Sequence, residues 1–321
     1  MTVHLDLNPL TLKDIPNPST PEFQAFLDAY FELGTKLAGS MDHWLKHSTK
    51  VNDSVQIVNL TSASSMSSIR RDLNVKDYWC GRMSRHTPDS VATVLDRSSN
   101  GPIDKARNLV RRLSGAPSIH DAEEGGQDSV MKREPRGLYE QFRRGLLEYH
   151  SENEREYIEA CRETECLEVF EPHVAEVWRL TYVTPPPTSP RTFVVLLLSR
   201  ELDSREGQRS FMNSECPPRS QFTVVSIPFA HPKCPEKQGS EKSRVRGRYV
   251  SVERVCEDAE SGGVEWRMAT CSDAGGNIPR FITNSSLPGS ISQDVPAFLK
   301  YISGRFAKNK RRSHGDVRVE A

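Results

Sequence analysis

Apolar residues recur at three- and four-residue steps near both ends of the chain and alternate with polar ones through much of its second half. Between Pro21 and Lys36, the side chains of Phe23, Phe26, Leu27, Tyr30, Phe31 and Leu33 crowd one broad face. That spacing predicts an amphipathic helix, with Thr20 as N-cap ahead of a first-turn proline. A second, short helix is predicted over Ala38 to Lys46, around Trp44 and Leu45. Val55 to Leu60 and Tyr78 to Met83 carry strand character. From Asp89 to Glu134 the pattern decays: Ile103 to Leu113 reads as helical, and Ser114 to Pro135 has no apolar period and is expected to be disordered. Helix resumes near Gly137, with Leu138, Phe142, Leu146 and Tyr149 on one side. Ser151 is expected to cap a further turn running through Tyr157 to Cys161, with Glu154 as its capping-box partner.

The remaining length is mostly strands: Cys166 to Phe170, Val174 to Val183, Arg191 to Arg200, Phe222 to Phe229, Arg246 to Val255 and Val264 to Thr270. No helical pattern interrupts them, which argues an antiparallel meander. In Trp178, Leu180 and Tyr182 the large apolar residues share one face of a strand. Arg191 to Ser199 is apolar on both faces, as a central strand covered on each side would be, with Phe193, Val195 and Leu197 on the side of Arg191.

The segment WRMATCSDAGGNIPRFITNSSLPGSISQDVPAFLKYI, from Trp266 to Ile302, is the most informative. It opens as a strand with Trp266, Met268 and Thr270 on one face. It breaks at Asp273 and Gly275-Gly276, where glycine allows backbone angles other residues avoid. After Pro279 it becomes a helix with Ile291, Val295, Phe298, Leu299 and Ile302 on one stripe. Asp273 is expected to accept backbone N–H bonds in the turn; no Gly-Lys-Ser/Thr or calcium-loop spacing supports a phosphate or metal loop.

This strand-Asp-x-Gly-Gly-x-x-Pro-helix pattern resembles the C-terminal end of START-like domains. SPRTFVVLLLSRE (Ser189 to Glu201) is similar to the family's Pro-Arg-Asp-Phe-Val strand, with Thr192 in place of the acid. DYWCGRMSRHTP (Asp77 to Pro88) and GLYEQFRRGLLEYHSENEREYIEA (Gly137 to Ala160) resemble a fungal START-like family with no assigned function. The resemblance implies an α+β, START-like helix-grip fold: a curved antiparallel sheet wrapped around a long C-terminal helix, holding a lipid between them. One domain is then expected over residues 1–306, with a disordered basic tail at 307–321.

On that reading the strand faces and the helix stripe supply a ligand cavity. From the strands come Trp178, Leu180, Tyr182, Phe193, Val195, Leu197, Trp266 and Met268; from the helix come Ile282, Ile291, Val295 and Phe298. The resemblance also implies, for its sterol-binding branch, an acid and an arginine paired on adjacent strands inside the cavity. Trp178 and Leu197 stand near those positions, so a drier cavity is expected, suited to an acyl chain or apolar metabolite. Gly275-Gly276 and Pro288-Gly289 are the expected hinges for opening it.

Composition adds limits. Only 36% of residues are hydrophobic and 27% are charged, which fits one globular domain with long solvated insertions. Lys+Arg and Asp+Glu both number 43, so net charge gives no push toward nucleic acid, and no nucleic-acid partner is expected. The 7 cysteines form no Cys-x-x-Cys pair; reduced thiols, no metal and no cofactor are expected. No apolar run approaches the roughly 20 residues of a membrane span. A cytoplasmic monomer is expected, able to touch a membrane transiently, with Lys308 to Arg312 offering a nuclear-import or anionic-lipid patch.

Candidate chemistry is thin. His86 lies two residues from Ser84 on one strand face, but no Gly-x-Ser-x-Gly elbow accompanies them, so a core-edge histidine is the simpler reading. Glu152, Glu154, Glu156 and Glu159 mix with Arg155 and Arg162 as a solvated helix face would. The protein is therefore expected to be a non-catalytic binder or carrier of a lipid or other hydrophobic ligand. The alternatives are a helix-grip enzyme of cyclase or hydrolase type and an interaction module acting through its insertion and tail.

Overall fold

The computed structural model describes residues 3–91, 137–183, 189–202, 220–236, 245–258 and 260–312. The elements run β1 (Leu10–Thr11), α1 (Pro21–Ser40), β2 (Leu45–Lys50), β3 (Val55–Leu60), α2 (Ser67–Asp72) and β4 (Trp79–His86). Beyond residue 136 come α3 (Leu138–Phe142), a π-helical stretch over Arg143–Glu148 and α4 (His150–Tyr157). The strands β5 (Cys161–Glu171), β6 (Ala175–Tyr182), β7 (Arg191–Leu202), β8 (Gln221–Ala230), β9 (Val245–Arg246), β10 (Arg248–Asp258) and β11 (Gly263–Asp273) follow, and α5 (Arg280–Arg312) ends the described chain. The helical reading of Ile103 to Leu113 and the disorder expected over 114–135 fall outside the described residues.

The sheet has the order β2-β3-β4-β11-β10-β8-β7-β6-β5, with antiparallel neighbours throughout. Short β1 and β9 add parallel to β8 and β7. The meander expected from uninterrupted strands is present, and β11 closes it against β4 from the first part of the chain.

Alternation gives the curved sheet two apolar faces, each with its own core. On the outer face, Val194, Leu196, Val225, Val252 and Ala269 pack under Phe23, Phe26, Leu27 and Tyr30 of α1. On the inner face, Trp178, Val195, Leu197, Phe222 and Trp266 meet Phe142 and Leu146 and, from α5, Ile291, Val295 and Phe298. The π-helical stretch lets this packing close. A Cβ on Gly145 would stand 2.6 Å from the Phe298 ring, so only glycine admits the ring there. Asn153 holds the stretch by donating from Nδ2 to the Arg144 and Gly145 carbonyls, at 3.1 and 2.9 Å, and its Oδ1 accepts from Tyr301 Oη at 2.6 Å.

Two local expectations are corrected. The helix expected over Ala38 to Lys46 is the end of α1, a 3₁₀ turn at Met41–His43 and the start of β2. Trp44 is buried and donates to Ser40 Oγ at 2.9 Å, and from Leu45 onward pairing with β3 outweighs helical propensity. The turn expected to reach Cys161 stops at Tyr157, because Cys161 is already paired with Tyr182 across β5 and β6. Ser151 lies inside the first turn of α4, not at its cap. At the far end α5 continues to Arg312 and takes in Lys308 to Arg312.

Candidate functional site

A hollow of about 1680 Å³ opens between the inner face of the sheet, α4 and α5. It exists because the inner-face core fills only one part of the space under α5. Farther along, small and polar residues (Ser251, Thr270 and Ser272 on the strands, Ser286 and Ser290 on α5) leave room. The turn that sends α5 across the sheet is built as its sequence requires. Gly275 and Gly276 have φ of +65° and +63°, and Asp273 Oδ1 accepts the Gly275 N–H at 2.8 Å. Asp273 also accepts from Arg280 Nε at 3.2 Å, tying the turn to the first residue of the helix.

Of the sequence-expected cavity residues, Tyr182, Phe193, Met268, Ile282 and Ile291 border the hollow. Trp178, Leu180, Val195, Leu197, Trp266, Val295 and Phe298 belong instead to the packed inner-face core beside it. Tyr182, Phe193 and Tyr249 form an edge-to-face wall, with centroids 5.6 and 5.4 Å apart.

The cavity is not dry at its inner end. Inner-face positions of β4 and β10 carry Arg82 and Glu253, whose side chains are 2% and 10% exposed and 3.1 Å apart. Glu253 Oε1 also accepts from Trp266 Nε1 at 2.7 Å, and Oε2 faces His150 Nε2 at 3.4 Å. The Arg82 guanidinium stacks 3.8 Å over the Trp266 ring. Arg82, His150, Glu253, Glu154 and Asp294 all border the hollow. The drier interior expected from Trp178 and Leu197 is thus corrected: those two are core, and an acid–arginine pair stands on other strands.

The electrostatics of this cluster are mutual. Burial works against charge on His150, but the Glu253 hydrogen bond and nearby carboxylates hold its imidazole above the usual value, which favours the cationic form. Burial alone would raise Glu253; His150, Arg82 and Trp266 bring it below the usual carboxylate value, so it is ionised. Glu154 accepts from the Tyr182 hydroxyl at 2.8 Å, and burial pushes its carboxyl up. Burial likewise pushes Asp294 up to about 7. Sequence reasoning placed Glu154 on a solvated face; it is turned into the hollow instead.

His86 takes the simpler role expected of it. Its Nε2 lies 2.9 Å from Ser84 Oγ, its ring is 5.9 Å from that of Phe142, and it does not border the hollow. Burial and the Arg82 charge lower its pKa to about 4, so it is neutral. Among the described residues, no group of three His, Cys, Asp or Glu side chains is disposed to hold a metal, and no helix is long and apolar enough to cross a membrane.

Comparison with known proteins gives two findings. The family described as "Protein of unknown function (DUF3074)" matches residues 119–302. Among solved structures, human STARD10 is 11% identical with a TM-score of 0.50, covering 90% of this chain and 84% of its own. Human StAR-related lipid transfer protein 5 is 13% identical with a TM-score of 0.49, covering 88% and 100%. At such identities the likeness is one of fold, the START-like helix-grip. No curated protein matches.

Proposed function

From the premise that the chain belongs to the family described as "Protein of unknown function (DUF3074)", with a START-like helix-grip fold, we propose that it binds a lipid or other hydrophobic ligand in the hollow and carries it unchanged. The observation that carries this reading is the hollow itself. At about 1680 Å³ it exceeds the usual range of roughly 300–1,000 Å³ for small-molecule sites. The space is partly open to solvent, so water or a ligand fills it. Phe193, Met268, Leu287 and Ile291 offer an apolar ligand burial at roughly 25 cal/mol per Å² removed from water.

The start of α5 is suited to a membrane surface, since Phe281 is 71% exposed and Ile282, at 46%, borders the hollow. We infer a monomer that touches membrane transiently there, works in the cytoplasm and has Lys308 to Arg312 as a route to the nucleus.

Mass spectrometry of the purified protein under native conditions tests the reading. A co-purifying amphiphile, or saturable uptake of a fluorescent fatty acid into the emptied protein, is expected. A protein that is ligand-free and takes up nothing would end it.

One observation favours a second reading, a helix-grip enzyme of cyclase or hydrolase type. His150 against Glu253, with Asp294 nearby, is a set of groups able to move protons beside a bound ligand. A mass change in the extracted ligand on incubation with wild-type protein, and none with His150→Gln, would establish it in place of the carrier.

A further inference from the structure

The inner end of the hollow has more positive charge and more hydrogen-bond donors than it can satisfy. Glu253 is the single carboxylate shared by two cations, Arg82 at Oε1 and His150 at Oε2, and Trp266 already occupies Oε1 as well. Arg82 uses only Nη2 in this arrangement; among the described residues its Nε and Nη1 have no hydrogen-bond partner, although its side chain is 2% exposed. His150 Nδ1 has none either. A buried guanidinium with two unpaired nitrogens is costly to keep, because each has given up water for nothing in return. Burial raises the carboxyls of the two flanking acids, Glu154 and Asp294, the latter to about 7, and so works against full negative charge beside this pair.

We propose that Arg82 and His150 form a head-group pocket that binds the oxyanion of an amphiphile, a carboxylate or a phosphate monoester, whose chain lies along Phe193, Met268 and Ile291. This rests on the carrier reading above and sharpens it. An oxyanion supplies several acceptor oxygens, the complement of the unpaired Arg82 Nε, Arg82 Nη1 and His150 Nδ1, and it pairs with the cation that Glu253 leaves unbalanced. Arginine forks match carboxylate and phosphate oxygens, and the strength of such bonds rises in a site shielded from water. A neutral alcohol would accept from two donors at most and bring no charge, and a quaternary amine would meet like charge.

The test measures binding of four probes of one chain length to the full chain, emptied of ligand, at pH 6: a long-chain carboxylate, the alkyl phosphate, the alcohol and the trimethylammonium. Either oxyanion is expected to bind at least tenfold more tightly than the alcohol, with the trimethylammonium weakest. The carboxylate and phosphate arms tell which oxyanion the pocket takes. Arg82→Met should abolish the preference while leaving alcohol binding in place. Because Arg82→Met leaves Glu253 short of a partner, His150→Gln and the paired Arg82→Met/Glu253→Met variant repeat the measurement with less strain on folding. Equal binding of alcohol and oxyanion, or tightest binding of the trimethylammonium, overturns the head-group pocket and leaves the carrier intact. Binding of none of the four overturns both.

Discussion

Glu253 is the residue on which the polar end of the hollow depends, since it compensates Arg82, His150 and the Trp266 N–H together. Glu253→Gln should therefore cost more than one hydrogen bond. It leaves a buried cation without its partner, a loss typically of about 3–5 kcal/mol, readable as a fall in urea midpoint at unchanged slope. Adding Arg82→Met to it should recover much of that loss, because the uncompensated charge leaves as well. This cluster was poorly legible in the sequence for a physical reason. Tyr182, Phe193 and Met268 stood out because large apolar residues alternating with others declare a buried strand face. His150 and Glu154 look the same on a helix whether they face open solvent or a wet hollow. Arg82 and Glu253 gave the one usable signal: each is an ionisable residue on a strand whose neighbours demand burial of both faces.

Among the elements, α5 forms one wall of the hollow. The glycine turn before it was legible because nothing else fits. Gly275→Ala would hold φ near +65° and drive its Cβ onto the Arg246 carbonyl oxygen, so a loss of about 1–3 kcal/mol is expected in chemical unfolding. Within the helix, Pro288 donates no N–H and Gly289 is exposed with nothing within 4 Å of a would-be Cβ. Gly289→Ala should stabilise the protein by about 1 kcal/mol and slow release of a fluorescent ligand in stopped flow. Asp294, on the same helix, makes the molecule sensitive to pH. It is faced by Arg82 from β4, by Glu154 and Tyr157 from α4, and by Glu253 from β10. Its folded pKa, about 7, lies above the ordinary 3.8, so the native state binds the extra proton between those values. That contribution to stability is complete below pH 4 and is lost as pH rises through 7. Asp294→Asn should flatten the pH dependence of the melting temperature between pH 4 and 7. It should also remove the weakening of oxyanion binding expected above pH 7, where an ionised Asp294 competes for the same cations.

For the whole molecule, filling the hollow and folding are linked. A ligand present at a hundred times its Kd should add about 2.7 kcal/mol to the unfolding free energy, and extraction of a co-purified one should lower the melting temperature in calorimetry by several degrees. The architecture as a whole was readable because uninterrupted strands and a terminal helical stripe leave few alternatives. The position of the hollow along the sheet was not, since Trp178, Leu197, Trp266 and Phe298 have the same apolar character as Phe193 and Met268, and only the packing under α5 separates filled from empty. On its outer side the sheet is sealed by α1 and a dense core that shares no residue with the hollow. Substitutions around the hollow can therefore be made without touching the outer-face core, which holds the other side of the same β-surface together.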